Sequence, residues 1–233
     1  MNPYRLPLFN EKALIMTRVF LILTCISLLV PVRMLSQTSV WESWDGEVVR
    51  SLNTADATPY LNDEEKKVVL FMNMARFDGK LFSDTFLEAY INDNQVERTG
   101  FVRSLVRDLK KVSALAPLVP EEDLTAVAQG HATKSGKSGH VGHKDFNKRF
   151  KPLMGNPYFQ VGENCSYGFE EAIDIVITLL IDEGVTDMGH RKNILKEEFN
   201  SVGVAIRPHK RYRVNCVTDF GKQNRSSLNQ VPY

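Results

Sequence analysis

The clearest helical spacing in the chain begins at Asn62. Asn62-Asp63-Glu64-Glu65 supplies N-cap chemistry with early acids, and Val68, Val69, Met72 and Ala75 follow on one face until Asp78-Gly79. The same spacing predicts one or two further helices over 83–112, on Phe86, Leu87 and Tyr90 and then on Leu105, Leu109 and Val112. Past a connector from Pro117 to Pro120, Glu121-Glu122-Asp123 opens a helix with Leu124, Val127, Ala128 and Ala132 on its apolar face. It must end before the glycines at 136, 139 and 142. Another helix starts near Phe169. Eight of the ten residues from Ala172 to Ile181 are apolar, which covers nearly every face and puts this helix at the centre of the domain. Strand signals come late, where 201–206 and 212–217 flank Pro208-His209-Lys210 as an antiparallel hairpin. Several helices with a small late sheet make an α+β layered domain.

Two stretches fall outside this pattern. Residues 37–61 scatter Trp41, Trp44 and Val48-Val49 among Ser, Thr, Asp, Asn and Pro without a sustained period, and read as a linker or loosely packed arm. In residues 1–36, Arg18 precedes an apolar run from Val19 to Val30. About a dozen residues are too few for a bilayer-spanning helix, which needs about 20, so the segment reads as a secretory signal peptide. Met16 offers an alternative start, and cleavage falls near Ser36-Gln37. An uncleaved N-terminal anchor is the competing reading and would be the chain's one attachment to a membrane. The domain then spans 62–221, with a C-terminal tail over 222–233.

Composition narrows this further. With 233 residues, 43% apolar and 24% charged, the chain can bury a core, and collagen-like, coiled-coil and wholly disordered classes are excluded. The formal charge of +1 is misleading, because residues 1–36 are net +3 and leave −2 for the remainder. A protein that grips phosphate backbones shows a basic surplus, so nucleic acid is not an expected partner. Export would leave Cys165 and Cys216 in an oxidising compartment, where they either form a disulfide closing a loop of about fifty residues or remain as two buried thiols.

The candidate chemistry lies between residues 138 and 195. His140 and His143 sit in Ser138-Gly139-His140-Val141-Gly142-His143, and His190 in Gly189-His190-Arg191-Lys192-Asn193-Ile194-Leu195. Between them come Glu163, in Gly162-Glu163-Asn164-Cys165, and Asp182-Glu183 at the end of the apolar helix. Acids and imidazoles near a core helix cost desolvation free energy unless they find partners or a cation, and a shared cleft would satisfy them together. His131, on the apolar face seven residues after Leu124, reads as a hydrogen-bonded core or rim residue, and His209, in a hairpin rich in Arg and Lys, as a solvated one. No His-Glu-x-x-His, Gly-x-Ser-x-Gly or paired Cys-x-x-Cys motif is present.

Over residues 62–221 the chain resembles the CAP superfamily, named for cysteine-rich secretory proteins, antigen 5 and pathogenesis-related proteins. It is most similar to the bacterial SCP-like extracellular branch. The resemblance rests on Gly162-Glu163-Asn164, Leu180-Ile181-Asp182-Glu183-Gly184-Val185, the Gly189–Leu195 motif and Val202-Gly203-Val204 in that order. It implies a three-layer α-β-α sandwich with a small antiparallel sheet and a cleft of two histidines and two acids that binds a divalent metal in some members. Glu163 and His190 match the family's motifs directly. The second histidine is matched by His140, followed by Asp145 and Arg149, with His143 as the fallback. The second acid is Asp182 or Glu183. The expected metal ligands are thus His140 and His190, with Zn²⁺ or another divalent cation as cofactor.

The expected function is that of a secreted, extracellular or periplasmic binding module whose partner is a small apolar, lipid or peptide ligand. The alternative is a metal-dependent peptidase or esterase with Glu163 as base and His190 beside it. A Cys165 nucleophile ranks lower, because the neighbouring Glu163 opposes thiolate formation.

Overall fold

The computed structural model describes residues 40–223. The expected signal segment and the last residues of the expected tail lie outside them. The compact unit begins at Glu42.

Its first helix, α1 (Gly46–Leu52), is capped by Asp45, whose carboxylate accepts from the backbone N–H groups of Glu47 and Val48. Helix α2 (Asp63–Phe77) starts where the acids predict it. The Asn62 side chain accepts from Glu65 N, and the Glu65 carboxylate accepts from Asn62 N in return. The helices expected over 83–112 form a near-continuous run of α3 (Gly79–Phe82), a π-helical turn (Ser83–Leu87) and α4 (Glu88–Asp93), followed by α5 (Gly100–Leu109). Next come β1 (Val119–Pro120), α6 (Glu122–Ser138), α7 (Phe146–Phe150), β2 (Tyr158–Tyr167), α8 (Ala172–Ile181), α9 (Gly189–Ile194), β3 (Ser201–His209) and β4 (Arg213–Gln223). Helix α6 does not end before Gly136 as expected: it runs through that residue, which packs against the Pro208 carbonyl, and is capped by the left-handed Gly139.

The strands form one sheet in the order β1-β3-β4-β2. The hairpin of β3 and β4 is antiparallel as expected, and β2 adds to it antiparallel along the β4 edge. The sheet is nevertheless mixed, because the two residues of β1 pair parallel with Ser201 and Val202. Helix α6 covers one face, where Ala128 and Ala132 pack against Cys165, Ala205 and Val217. Helices α2 and α8 pack on each other and on the sheet, and Glu65 of α2 accepts from the backbone N–H of Ile206 in β3. The architecture is the α+β, three-layer α-β-α sandwich that the motifs implied.

The layers approach closely at Gly203. A Cβ built there would lie 2.2 Å from the backbone carbon of Leu124 and 2.3 Å from the nitrogen of Thr125. Backbone cannot swing away as a side chain can, so Gly203→Ala has to push α6 off β3. We expect it to lower stability by about 1–3 kcal/mol or more, read as a drop in the urea unfolding midpoint.

Two expectations are corrected here. Residues 42–61 are not a loose arm: Trp44, Leu52, Ala55 and Leu61 are buried. The buried Asn73 of α2 donates to Leu52 O, Thr54 Oγ1 and Leu118 O, and Trp44 Nε1 donates to Thr85 Oγ1. These anchors are single residues in a polar stretch, which is why no period showed. The second correction concerns the cysteines, which are both free and buried. Cys165 pairs with Val217 and Cys216 with Ser166 across the β2–β4 ladder. Neighbouring register positions project to opposite faces, so the two sulfurs cannot meet while the ladder is intact.

Candidate functional site

Glu163 sits on edge strand β2 with its side chain buried on the α6 face, beside Cys165 and His131. Arg149, on α7, grips it through two bonds, Nη1 to Oε2 at 2.6 Å and Nη2 to Oε1 at 2.9 Å. His143 Nδ1 lies 2.8 Å from Oε1 and donates to it, and its ring is about half exposed. Burial pushes the Glu163 pKa up, but the hydrogen bonds from His143 and Arg149, with the Arg149 and His131 charges, outweigh this and bring it to about 2.

The loop carrying His143 is pinned from two sides at Gly142, whose φ of 95° suits glycine. Its N–H donates to Tyr167 Oη at 2.8 Å, and its carbonyl accepts from His131 Nε2 at 2.9 Å. Those contacts set His143 over Glu163. Directly opposite Glu163 in the register stands Asp219 of β4. It is fully buried, and neither carboxylate oxygen has a hydrogen-bond partner among the described residues. Burial, and then the proximity of the Glu163 carboxylate, push its pKa well above the usual carboxylate range.

A second pair forms at the junction of α8 and α9. Asp182, left-handed at φ 60°, caps α8. One carboxylate oxygen accepts from His190 Nδ1 at 2.6 Å, and the other accepts from the His190 and Arg191 backbone N–H groups. Arg191 is buried, donates to the carbonyls of Leu180 and Ile181, and pairs with Asp108 of α5. Asn193 ties α9 to β2, donating to Asn164 Oδ1 and Glu163 O, while Asn164 donates to His190 O. Asn164 projects to the face opposite Glu163 by strand alternation, so the backbone of α9 is held from that opposite face.

The expected residues therefore form two hydrogen-bonded pairs, Glu163 with His143 and Asp182 with His190. No hydrogen bond or ion pair among the described residues joins the His140 ring to Glu163 or to His190. The fallback His143 makes the contact with Glu163, and His140 lies exposed at the end of α6. Asp182 is the acid that pairs with His190, while Glu183 is exposed and accepts from the Thr99 hydroxyl. His209 is buried rather than solvated. Its Nδ1 accepts from the N–H groups of Arg211 and Tyr212, so Nε2 carries the proton it donates to His140 O.

Asp219 was missed, as was the reach of His131 and Arg149. The hairpin expected from sequence ends at Val217, two residues short of the buried acid. An Asp two residues beyond a buried valine on the same strand face was the signal.

His131, Glu163 and Cys165 have ligand atoms within 4.8 Å of one another. His131 Nε2 is committed as a donor to a carbonyl, which cannot lend it a proton. Burial, then the charges of Glu163 and Asp219, raise the Cys165 thiol well above its ordinary pKa, whereas a metal needs the thiolate. The Arg149 guanidinium already supplies Glu163 with a cation. This donor set does not fit a divalent ion.

A model of the cysteine-rich secretory protein family, CAP, matches residues 97–220, more than half of the chain. Among solved structures, an outer surface protein from Borrelia burgdorferi is similar at 16% identity and a TM-score of 0.40, over 55% of this chain and 97% of that one. An extracellular protein containing a SCP domain from Bacillus anthracis is similar at 20% identity and a TM-score of 0.39, over 56% of this chain and 42% of that one. The CAP domain of enterococcal PrgA gives 15% identity and a TM-score of 0.39, over 80% of this chain and 75% of that one. No match was found among curated proteins.

Proposed function

The chain belongs to the cysteine-rich secretory protein (CAP) family, and from that premise we propose that it acts outside the cytoplasm as a ligand-binding module rather than a hydrolase. The observation that carries this reading is the double grip of Arg149 on Glu163. A carboxylate with a pKa of about 2 is a weak base at neutral pH, where an effective general base has a pKa nearer 7. The Asp182–His190 pair orients an imidazole, and no hydroxyl or thiol nucleophile is hydrogen-bonded to that ring among the described residues. Cys165 is buried and held as a thiol.

The proposed ligand is a small apolar or peptide molecule. A cavity of about 360 Å³ beside the Glu163 cluster supports this, with Phe146, Phe150, Met154 and Val161 in its lining. The extracellular assignment draws on the signal-like segment over 1–36. Among the described residues no helix is long and apolar enough to cross a membrane.

Two measurements test the proposal. Turnover of a peptide and ester panel, with and without Zn²⁺, is expected to show no component that depends on Glu163. Activity abolished by Glu163→Gln in a variant that remains folded would make the protein an enzyme. Calorimetry with Zn²⁺ is expected to give the same heats for the native chain and a His140→Ala, His190→Ala double variant. Binding lost in that variant would restore the metal site expected from sequence.

A further inference from the structure

On the other flank of α7 from the apolar cavity lies a second one, of about 450 Å³, between α6 and the loop leading into α7. It falls within the roughly 300–1,000 Å³ typical of small-ligand sites. Lys134, Lys144 and Lys148 line it together with His140 and Ser138, and Asp145 is its one acid. All three lysines are exposed. None takes part in an ion pair among the described residues, whereas Arg149, Arg191, Arg207 and Arg213 each have a carboxylate partner.

The surroundings reinforce this charge. Residues 134–151 carry six cationic side chains against one acid, in a chain that is net negative from residue 37 onward. The β3–β4 hairpin folds onto the same end of α6, where Lys210 N donates to Gly136 O and His209 Nε2 to His140 O. The Arg211 side chain lies against Gly139. A positive patch in a net-negative molecule is not a by-product of composition. In a concave wall of low dielectric it concentrates field on whatever enters.

We propose that this cavity binds the oxyanion of a phosphate or sulfate ester. The lining discriminates against simple carboxylates. A carboxylate is matched best by the planar fork of an arginine, and the arginine in this lining is already spent on Glu163. Three unpaired ammonium groups are compact point charges around a common volume, which suits an anion of higher charge and several equivalent oxygens. This site stands or falls independently of the apolar cavity and of the enzyme question.

The test uses the full chain and isothermal titration with inorganic phosphate, sulfate, glucose 6-phosphate and acetate. Saturable binding of the first three, with acetate weaker, is the expected result. A Lys144→Gln, Lys148→Gln double variant is expected to raise the Kd for glucose 6-phosphate by roughly tenfold or more. A Lys110→Gln, Lys111→Gln control, with charges removed beyond α5, should leave it unchanged. Both pairs are exposed, so melting midpoints near that of the native chain will show that folding is intact. Co-sedimentation with phosphatidylglycerol but not phosphatidylcholine vesicles, competed by free phosphate, would identify the ester as a lipid headgroup. Binding of glucose 6-phosphate without co-sedimentation would identify a soluble ester. Absence of saturable binding to every phosphate and sulfate probe and to the vesicles, or equal affinity in the Lys144/Lys148 variant and the native chain, would overturn the proposal.

Discussion

Arg76→Met should be the most damaging of the substitutions considered, costing at least about 4 kcal/mol of folding stability. Arg76 is fully buried at the end of α2 and makes no ion pair among the described residues. Its guanidinium is satisfied by carbonyls alone: Ala116 through Nε and Nη2, Ile194 and Lys196 through Nη1, and Phe199 through Nη2, at 2.8–3.0 Å. Burial draws its pKa down to about 10, which still leaves it charged at neutral pH. Truncation strands four carbonyls, each costing about 1–3 kcal/mol when left unsatisfied out of water, against a total stability of roughly 5–15 kcal/mol. Arg76→Lys should recover only a minor part, because one ammonium cannot span four acceptors spread over residues 116 and 194–199. Urea unfolding followed by circular dichroism provides the measurement. Near-native stability of the methionine variant would mean that water or other donors replace the guanidinium.

Substitutions at the two facing carboxylates should act with opposite signs. Glu163 has a folded pKa of about 2 against 4.5 for the free group. Its contribution is therefore complete above about pH 4.5 and is lost as pH falls towards 2. Glu163→Gln removes the counter-charge of a largely buried Arg149 and should cost about 3–5 kcal/mol at neutral pH. Asp219 is raised above its ordinary 3.8, so its contribution is complete below that value and is lost as pH rises through the folded pKa. At neutral pH the buried acid is a liability. Asp219→Asn, which cannot ionise and brings an N–H donor beside Glu163, should raise stability at neutral pH by about 1–3 kcal/mol and flatten the fall in stability that Asp219 causes above pH 3.8. Melting midpoints across acid and alkaline buffers will check both. If Asp219→Asn lowers the midpoint throughout, Asp219 is ionised in the folded protein and has a partner that asparagine cannot serve.

The helices were legible because their signals are local. Asn62 and Glu65 sit three residues apart and cap α2 without help from the rest of the chain. The edge strand β2 was not legible. Glycine, glutamate and asparagine occupy its centre, and residues from Gly162 to Ser166 are buried in succession rather than alternately. That pattern arises because α6 covers one face while α9 and Phe199 close on the other, and no short window of sequence reports both. The same reason separates His143 from His140. Both follow glycines in one loop, and the choice between them is made by Tyr167 and His131, which reach Gly142 from a strand and a helix distant in sequence. Asp182 was legible as a candidate, and its preference over Glu183 comes from the left-handed turn that aims it at the N–H groups of α9.

The placement of the cysteines on opposite faces of the sheet bears on how the molecule is made. Maturation does not wait on a thiol oxidase or an isomerase to join Cys165 to Cys216, since no rearrangement short of dismantling the β2–β4 ladder brings them together. Among the described residues the sandwich is held by packing, hydrogen bonds and ion pairs without a disulfide, and a reducing cytosol suits its assembly as well as an oxidising exterior.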